Sequence, residues 1–184
     1  MIGAGDPLHH PPRRILIAGV TGAGKSTLAE KLSLLLGIPY IELDALYHGP
    51  NWSRRENFLA DVDALAAANG WITEWQYASA RARLEKRADT VVWLDYPAPV
   101  VLTRLIRRTV RRRLTHEVLW SGNVEPPLWH LVTGRDHVIA WALATHRRYR
   151  GTVPALATPE LQVVRLGSQA DADAWLATFA TTPR

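Results

Sequence analysis

The sequence contains no cysteine and only one methionine among its 184 residues. The lack of cysteine excludes disulfide bonds, thiol catalysis and thiolate metal sites, and it is compatible with a reducing compartment. No apolar run approaches the roughly 18 residues that a transmembrane helix needs. The first dozen residues also lack the apolar core of a signal peptide. The sequence therefore predicts a flexible N-terminal tail at 1–12 and a protein of the cytoplasm without a membrane partner.

Acidic residues are fewer than basic ones, with 17 Asp and Glu against 22 Lys and Arg, for a net charge of +5. Six of the arginines fall between Arg104 and Arg113. Anionic substrates and nucleic acid would both account for this local excess, and charge alone does not choose between them. The length and the 47% hydrophobic content predict one globular domain over 13–180, followed by a short C-terminal tail at 181–184.

A glycine-rich stretch lies between an apolar run and a helical repeat. Residues 15–18 are apolar, as expected of a strand that is buried on both faces of a parallel sheet. From Leu28 onward, leucines recur at helical spacing. Between the two, Gly19, Gly24, Lys25 and Ser26 complete the pattern G-x-x-x-x-G-K-[ST] of a phosphate-binding loop.

This loop predicts a site for a nucleoside triphosphate, ATP or GTP, with Mg²⁺. Its glycines allow backbone N–H groups to approach a polyphosphate, and the start of the following helix adds a positive dipole end. We expect Lys25 to reach the β- and γ-phosphates and the Ser26 hydroxyl to bind Mg²⁺. The predicted nucleotide-binding residues of the loop are Gly19, Thr21, Gly22, Ala23, Gly24, Lys25, Ser26 and Thr27.

Strand and helix patterns alternate along the rest of the chain, which predicts an open α/β fold with a parallel sheet and helices on both faces. Glycine, proline and tryptophan residues interrupt the pattern at about 114–136, and we interpret this segment, with Trp120 and Trp129, as a lid. Most of the eight tryptophans, among them Trp93 and Trp141, are expected in the core. The predicted strands are 15–18, 39–44, 71–77, 90–96 and 161–166.

Two segments have the composition of an acceptor site. Asp44 ends the second predicted strand, where it could orient a substrate hydroxyl, act as a general base or simply be solvated. Arg81 follows one helical turn after Tyr77 and could hold a phosphate or carboxylate, although a surface arginine would look the same. The predicted acceptor-binding residues are Asp44, Tyr47, Trp52, Trp75, Tyr77 and Arg81.

Two acidic residues are candidates for the magnesium side of the reaction. Glu74 lies in the third predicted strand, where such sheets often carry the acid that orients Mg²⁺ or water. Asp95 closes the apolar run of the fourth strand and is the alternative. The arginine-rich helix that follows carries Arg104, Arg108 and Arg111 on one side. Although a charge run is often only a solvated face, we expect at least one of its arginines to contact the nucleotide.

Taken as an ordered set, these segments resemble the topology modulation protein family, which is similar to the adenylate kinase and shikimate kinase group. The resemblance rests on the phosphate loop, Asp44-Ala-Leu-Tyr with Trp52, Trp71-Ile-Thr-Glu-Trp-Gln-Tyr with Arg81, Val91-Val-Trp-Leu-Asp-Tyr-Pro with the arginine helix, Leu119-Trp-Ser-Gly-Asn, and Thr145-His146. It implies a five-stranded parallel sheet of order 2-3-1-4-5 with a lid. It also implies that Glu74 ends the strand beside the phosphate loop, and that Arg108 and neighbours such as Arg112 meet the nucleotide at the lid hinge.

The chain departs from this resemblance in two places. Many members of the family read Asp-Gly-Asn where this chain has Glu74-Trp75-Gln76, so an indole replaces a glycine near the acceptor. The Asp-Gly-x-Pro-Arg segment of adenylate kinases is absent, which argues against a nucleoside monophosphate as acceptor.

Three functions remain open. The leading hypothesis is a kinase that transfers the γ-phosphoryl group of Mg-ATP to a hydroxyl or phosphate of a small molecule, with Lys25, Asp44, Glu74 and Arg108 as catalytic residues. The second is a nucleotide-dependent regulatory protein that modulates DNA topology and binds nucleic acid through the arginine-rich helix. The third is an NTPase whose acceptor is water.

Overall fold

The computed structural model describes residues 1–115, 118–123 and 138–180, and for 138–143 only the backbone. Its strands are β1 (Arg14–Ala18), β2 (Trp71–Glu74), β3 (Thr90–Leu94) and β4 (Gln162–Leu166). Its α-helices are α1 (Lys25–Leu36), α2 (Leu43–Tyr47), α3 (Phe58–Ala67), α4 (Ala78–Glu85), α5 (Ala98–Leu114), α6 (Val138–Thr152) and α7 (Gln169–Ala180). In this part of the chain, no helix has both the length and the apolar character needed to cross a bilayer.

The four strands form one parallel sheet in the order β2-β1-β3-β4. The α/β class with a parallel sheet is confirmed. The number of strands is not, because five were predicted. The segment predicted as the second strand makes only an isolated bridge, in which Tyr40 pairs with Ile72 of β2.

Local chemistry explains the missing strand. Pro39 has no backbone N–H to donate to a ladder, although its carbonyl accepts a bond from the Ile72 N–H at 2.9 Å. Three residues after Tyr40, the chain enters α2 at Leu43, whose side chain is fully buried. The extended stretch is therefore too short to form a strand, and Asp44 lies in the first turn of α2 rather than at a strand end.

The sheet is covered on both faces, as its uniformly apolar strands require. One face packs against α1 and α7, with Leu32, Val92 and Trp175 in the shared core. The other face packs against α3 and α4, with Phe58, Trp71 and other buried side chains. Because both faces are buried, the strands show near-continuous apolar runs rather than alternation. The helices leave the carboxyl ends of the strands uncovered, and a crevice opens there.

The N-terminal segment differs from the loose tail expected for residues 1–12. Ile2 is 5% exposed and pairs in parallel with Val164 of β4, with two backbone hydrogen bonds of 2.8 Å to the neighbouring residues Val163 and Arg165. The Gln162 side chain also accepts a hydrogen bond from the His9 N–H at 2.9 Å. The outer edge of β4 offers unpaired backbone groups, and one apolar residue is enough to dock there. The predicted tail at 181–184 and most of the predicted lid, including Trp129, lie outside the described residues.

Replacement of Ile2 by Ala measures whether this segment contributes to stability. We expect the free energy of unfolding to fall by about 2 kcal/mol, because a buried side chain is truncated. Urea denaturation followed by tryptophan fluorescence gives the value. Met1→Ala is the matched control, since Met1 is 63% exposed. Equal stability of the two variants would show that the segment is loose after all.

Candidate active site

The turn from β1 into α1 is built for an anion. Gly22 and Gly24 have φ values of 91° and 96°, in the left-handed region that favours glycine. The turn closes with a 3.0 Å hydrogen bond from the Ala23 N–H to the Val20 carbonyl. Gly24 is the N-cap of α1 and has no side chain to cover the first N–H groups of the helix. These groups and the helix dipole are left to bind a phosphate.

The same turn lies directly against α5. A Cβ atom on Gly22 would lie 2.8 Å from the carbonyl oxygen of Val101 and 3.0 Å from the Cβ of Leu105. Only a residue without a side chain allows this approach. The contact fixes the distance between the phosphate loop and the arginines of α5, one turn further along the same helix.

A cavity of about 510 Å³ opens between the loop and α5. Four α5 arginines line it, so the structure brings the predicted Arg108 and Arg112 beside Lys25 and Ser26. Arg104 also stacks on Tyr96 at 5.1 Å from the ring centroid. Size and positive charge suit a nucleoside triphosphate. The cavity lining includes Gly22, Ala23, Gly24, Lys25, Ser26, Thr27, Tyr96, Arg104, Arg108, Arg111, Arg112 and Gln169.

Ser26 and Glu74 form the part of the site that fits Mg²⁺. The Ser26 hydroxyl donates a 2.8 Å hydrogen bond to Glu74 Oε1, and the Tyr40 hydroxyl donates to the same oxygen at 3.3 Å. Glu74 is 3% exposed at the end of β2, beside β1. Mg²⁺ prefers oxygen ligands and is usually held by one or two protein groups together with phosphates and water. No cluster of three or more His, Cys, Asp or Glu side chains that could hold a metal occurs in the described ranges.

Asp95, the alternative acid, has a different environment. Its carboxylate is almost fully buried and accepts hydrogen bonds from Arg150 at 2.9 Å and from Arg165 at 2.6 and 2.9 Å. Both carboxylate oxygens therefore have an arginine partner. Of the two candidates, Glu74 is the one that lies beside Ser26.

A second cavity, of about 430 Å³, adjoins the other side of the loop. Lys25 lines both cavities, and Gly19 and Thr21 belong to the wall of the second. Three of the predicted acceptor residues, Asp44, Tyr77 and Arg81, are brought together here. The wall also contains Gln76, Arg148 and Tyr149, which were not predicted as site residues. The lining of this second cavity includes Gly19, Thr21, Lys25, Asp44, Gln76, Tyr77, Arg81, Arg148 and Tyr149.

Asp44 is a half-buried carboxylate held by two donors. Its Oδ1 accepts hydrogen bonds from the Tyr77 hydroxyl at 2.5 Å and from the Gln76 amide at 2.9 Å. Burial raises the pKa of the Asp44 carboxyl, whereas the Tyr77 hydrogen bond acts in the opposite direction. Tyr77 reaches Asp44 from a backbone with φ of 55°, which is uncommon for a bulky residue and marks a held conformation.

Arg81 is fixed by aromatic groups rather than solvated. Its guanidinium carbon lies 4.0 Å from the Trp75 ring centroid, and its Nη2 donates to the Tyr149 hydroxyl at 2.8 Å. The Tyr149 hydroxyl in turn donates to the Trp75 carbonyl at 3.3 Å. Trp75 is 3% exposed and supports Arg81 from behind. The Trp75 indole thus orients the arginine.

Of the remaining predicted acceptor residues, Tyr47 and Trp52 are not part of the cavity lining. Tyr47 stacks on Tyr77 at 4.0 Å between ring centroids, and His48 lies 3.2 Å from the Tyr77 hydroxyl through its Nε2. Trp52 donates its backbone N–H to Asn123, and the Asn123 amide donates to the Gly49 carbonyl at 3.0 Å. The segment 118–123 therefore packs against the loop that contains Gly49 and Trp52.

Comparisons with known proteins agree with this fold. Shikimate kinase from Acinetobacter baumannii, in complex with shikimate, aligns over 92% of this chain and 91% of its own with a TM-score of 0.58 and 16% identity. A gluconokinase from Sinorhizobium meliloti aligns over 92% of both chains with a TM-score of 0.53 and 21% identity. Shikimate kinase from Aquifex aeolicus aligns over 91% and 93% with a TM-score of 0.53 and 14% identity. The chain therefore has the fold of the phosphate-loop kinases.

Sequence comparison reaches less far. A bifunctional pantoate ligase/cytidylate kinase from Gloeobacter violaceus is 41% identical over 56 residues, which are 30% of this chain and 11% of that protein. The chain thus matches only a small part of that curated relative. No protein family model matches the chain, and the resemblance to the topology modulation family is not shown by these comparisons.

Substitution of Gly22 tests the contact between the loop and α5. Gly22→Ala should lower nucleotide affinity by about tenfold or more, because the new methyl group collides with α5 and displaces the loop from the shape that presents its N–H groups to the phosphates. Titration with Mg-ADP by calorimetry measures the change. Gly37→Ala is the matched control, with φ of 67° and no atom within 4 Å of its Cβ position. Equal affinity in both variants would contradict the role assigned to the close approach.

Proposed function

We propose that this protein is a kinase that transfers the γ-phosphoryl group of Mg-ATP to a hydroxyl group of a small molecule. The observation that carries the proposal is that Lys25 lines two adjoining cavities. One has the arginine-rich wall that a triphosphate needs, and the other holds the half-buried carboxylate of Asp44. An ammonium group at this junction can neutralise the charge that develops on the phosphoryl group in transfer.

The nucleotide side of the site positions the triphosphate and neutralises its negative charge. The N–H groups at the start of α1 and the arginines of α5 hold the phosphates, with Arg108 and Arg112 near the transferring end. Ser26 and Glu74 would hold Mg²⁺, which supplies charge neutralisation on the β- and γ-phosphate oxygens when bound. Glu74 orients the Ser26 hydroxyl through their 2.8 Å hydrogen bond.

On the acceptor side, Asp44 acts as general base. One of its oxygens is occupied by Tyr77 and Gln76, which hold the carboxylate group in a single orientation. A substrate hydroxyl would donate its proton to the carboxylate as the oxygen attacks the γ-phosphorus. Trp75 holds Arg81 in place for the substrate, and Tyr77 is supported by Tyr47, which stacks on its ring.

A hydroxylated carboxylic acid fits this cavity best. Besides Asp44, the cavity presents three cationic side chains, Lys25, Arg81 and Arg148. An arginine fixed on an indole recognises a carboxylate or phosphate in one direction. The names of the similar structures, shikimate kinase and gluconokinase, both refer to hydroxylated carboxylic acids.

The rival functions have less support. A nucleic-acid-binding role would use arginines on an open surface, whereas Arg104, Arg108, Arg111 and Arg112 line the nucleotide cavity. An NTPase that transfers to water would not need an acceptor cavity walled by a fixed arginine and a carboxylate held by two donors. Competition separates the first rival from the kinase, because DNA bound through α5 would be displaced by ATP and weakened steeply by salt.

The test is consumption of ATP or GTP with Mg²⁺ against a panel of hydroxy acids, their neutral polyol analogues, nucleosides and nucleotides. We expect a hydroxy acid, and not its neutral analogue, to accelerate turnover and to leave phosphorylated. Lys25→Ala should lower this transfer by about 10²–10³-fold. Lys86→Ala is the control, because this exposed lysine lines neither cavity. Undiminished transfer by Lys25→Ala would overturn the proposal, and ATP loss without a phosphorylated acceptor would favour the NTPase.

The pH profile tests Asp44. The catalytic form is the carboxylate, so kcat/KM for the acceptor should rise with pH as Asp44 loses its proton. Because burial raises the pKa of Asp44, this acidic limb should lie above the value of about 3.9 for an ordinary aspartate. Tyr77→Phe removes a hydrogen bond that favours the carboxylate and should move the limb to higher pH. Asp44→Asn should lower the rate by about 10²–10⁴-fold. A limb unmoved in Tyr77→Phe would mean that another group titrates.

A further inference from the structure

We infer that Asp95 is a positioning residue of the acceptor site, which acts by holding α6 against the sheet. This inference rests on the proposed function for its kinetic consequences, but its structural basis is independent of it. Asp95 follows β3 at the crevice edge of the sheet. Its backbone N–H is bonded to the Leu166 carbonyl of β4 at 2.9 Å, so the residue itself is fixed on the sheet.

The Asp95 carboxylate joins three elements. Arg150 of α6 donates to Oδ1 at 2.9 Å, and Arg165 of β4 donates to Oδ2 at 2.6 and 2.9 Å. The carboxylate has 1% of its surface exposed, whereas the two arginine side chains are 53% and 47% exposed. A buried carboxylate is strongly unfavourable without such partners. Because Arg150 belongs to α6 and Arg165 to β4, their shared bonds to one buried carboxylate make the position of α6 depend on Asp95.

The adjacent turn of α6 carries two residues of the acceptor cavity. Arg148 and Tyr149 line that cavity, and the Tyr149 hydroxyl accepts the hydrogen bond that orients Arg81. They directly precede Arg150, so a shift of that residue displaces both. The contact between Asp95 and Arg150 is thus transmitted to the groups that would recognise the acceptor.

Next to Asp95, Tyr96 links the same helix to the nucleotide side. Its ring lines the nucleotide cavity, and its carbonyl accepts a 2.9 Å hydrogen bond from His146 of α6. His146 also lies 3.9 Å from Asp95. The two consecutive residues Asp95 and Tyr96 therefore hold one helix by two of its turns, at the boundary between the two cavities.

This anchoring role of Asp95 differs from the role that the sequence pattern allowed, in which Asp95 orients Mg²⁺. A magnesium-side acid would leave a carboxylate oxygen for water of the metal shell, whereas both Asp95 oxygens are bonded to arginine. The two roles predict different defects. Loss of a metal-side acid would raise the Mg²⁺ concentration needed, and loss of the anchor would impair acceptor use at an unchanged Mg²⁺ requirement.

The first experiment reads the position of α6 directly. Because the chain has no cysteine, two introduced cysteines at exposed positions, Arg147 in α6 and Ala174 in α7, can be spin-labelled without background. Pulsed electron resonance then gives the distance distribution between them. We expect Asp95→Asn and Arg150→Met each to broaden or shift it, while Asp63→Asn leaves it unchanged. Asp63 is the matched control, an exposed aspartate with a single arginine partner, Arg83, at 3.0 Å. Distances unchanged in both Asp95→Asn and Arg150→Met would overturn the inference.

The second experiment measures function with the acceptor found in the panel. Asp95→Asn and Arg150→Met should both lower kcat/KM for the acceptor by about 10- to 100-fold, as expected for misplaced binding groups. The affinity for Mg-ADP and the Mg²⁺ dependence should stay as in the unmodified protein. A raised Mg²⁺ requirement in Asp95→Asn with normal acceptor use would overturn the inference. Arg150→Met leaves the pair of Asp95 and Arg165 intact and serves as the milder variant if Asp95→Asn does not fold.

The outcomes separate this inference from the proposed function. If the unmodified protein phosphorylates no member of the panel, the kinase proposal fails, and the spin-label distances still decide whether Asp95 anchors α6. If transfer is found but the distances and the acceptor kinetics of the variants are unchanged, the kinase stands and the anchor is wrong.

Discussion

The site depends on backbone N–H groups at the start of α1 that no side chain covers. Donors without a partner at the start of a helix, together with the positive end of the helix dipole, are available to bind an anion. The geometry requires left-handed backbone at Gly22 and Gly24, and it requires α5 to pass close enough that any side chain at Gly22 would collide with it. One constraint therefore sets the turn, its approach to α5 and the arginine-rich wall of the nucleotide cavity.

Charge is distributed unevenly around this turn. The cavity beside α5, proposed for the nucleotide, is walled by arginines, whereas the cavity proposed for the acceptor combines cationic side chains with the carboxylate of Asp44. Each acid near the loop is matched to its own partner: Glu74 to the Ser26 hydroxyl, Asp44 to Tyr77 and Gln76, and Asp95 to two arginines. Because carboxylates removed from water need such partners, three similar residues at the same edge of the sheet have three different environments.

The sequence predicted elements well where local pattern decides them. β1, the loop and α1 follow from a buried apolar run, glycine spacing and helical leucines, and the α/β class was predicted. The order of the four observed strands agrees with the order that the family resemblance implied. The second predicted strand, 39–44, was wrong, because Tyr40 and Ile41 have the composition of a strand while Pro39 and the start of α2 at Leu43 shorten it to a bridge. The docking of Ile2 was also missed, since an unpaired sheet edge belongs to the tertiary structure.

Site residues show the same division. Lys25, Ser26 and the glycines of the loop were predicted as one site from spacing alone, and the structure brings them together in one turn. Arg148 and Tyr149 could not be assigned to the wall near Asp44, since more than a hundred residues separate them in the chain. The Asp95 pattern was compatible with a metal-side acid, and only the approach of Arg150 and Arg165 distinguishes it from Glu74. The sequence by itself determined the glycine-rich turn between β1 and α1, because that turn needs only neighbouring residues. Which carboxylate faces which cation was decided by the tertiary structure, because electrostatic partners depend on distances of a few ångströms between segments that the sequence does not place.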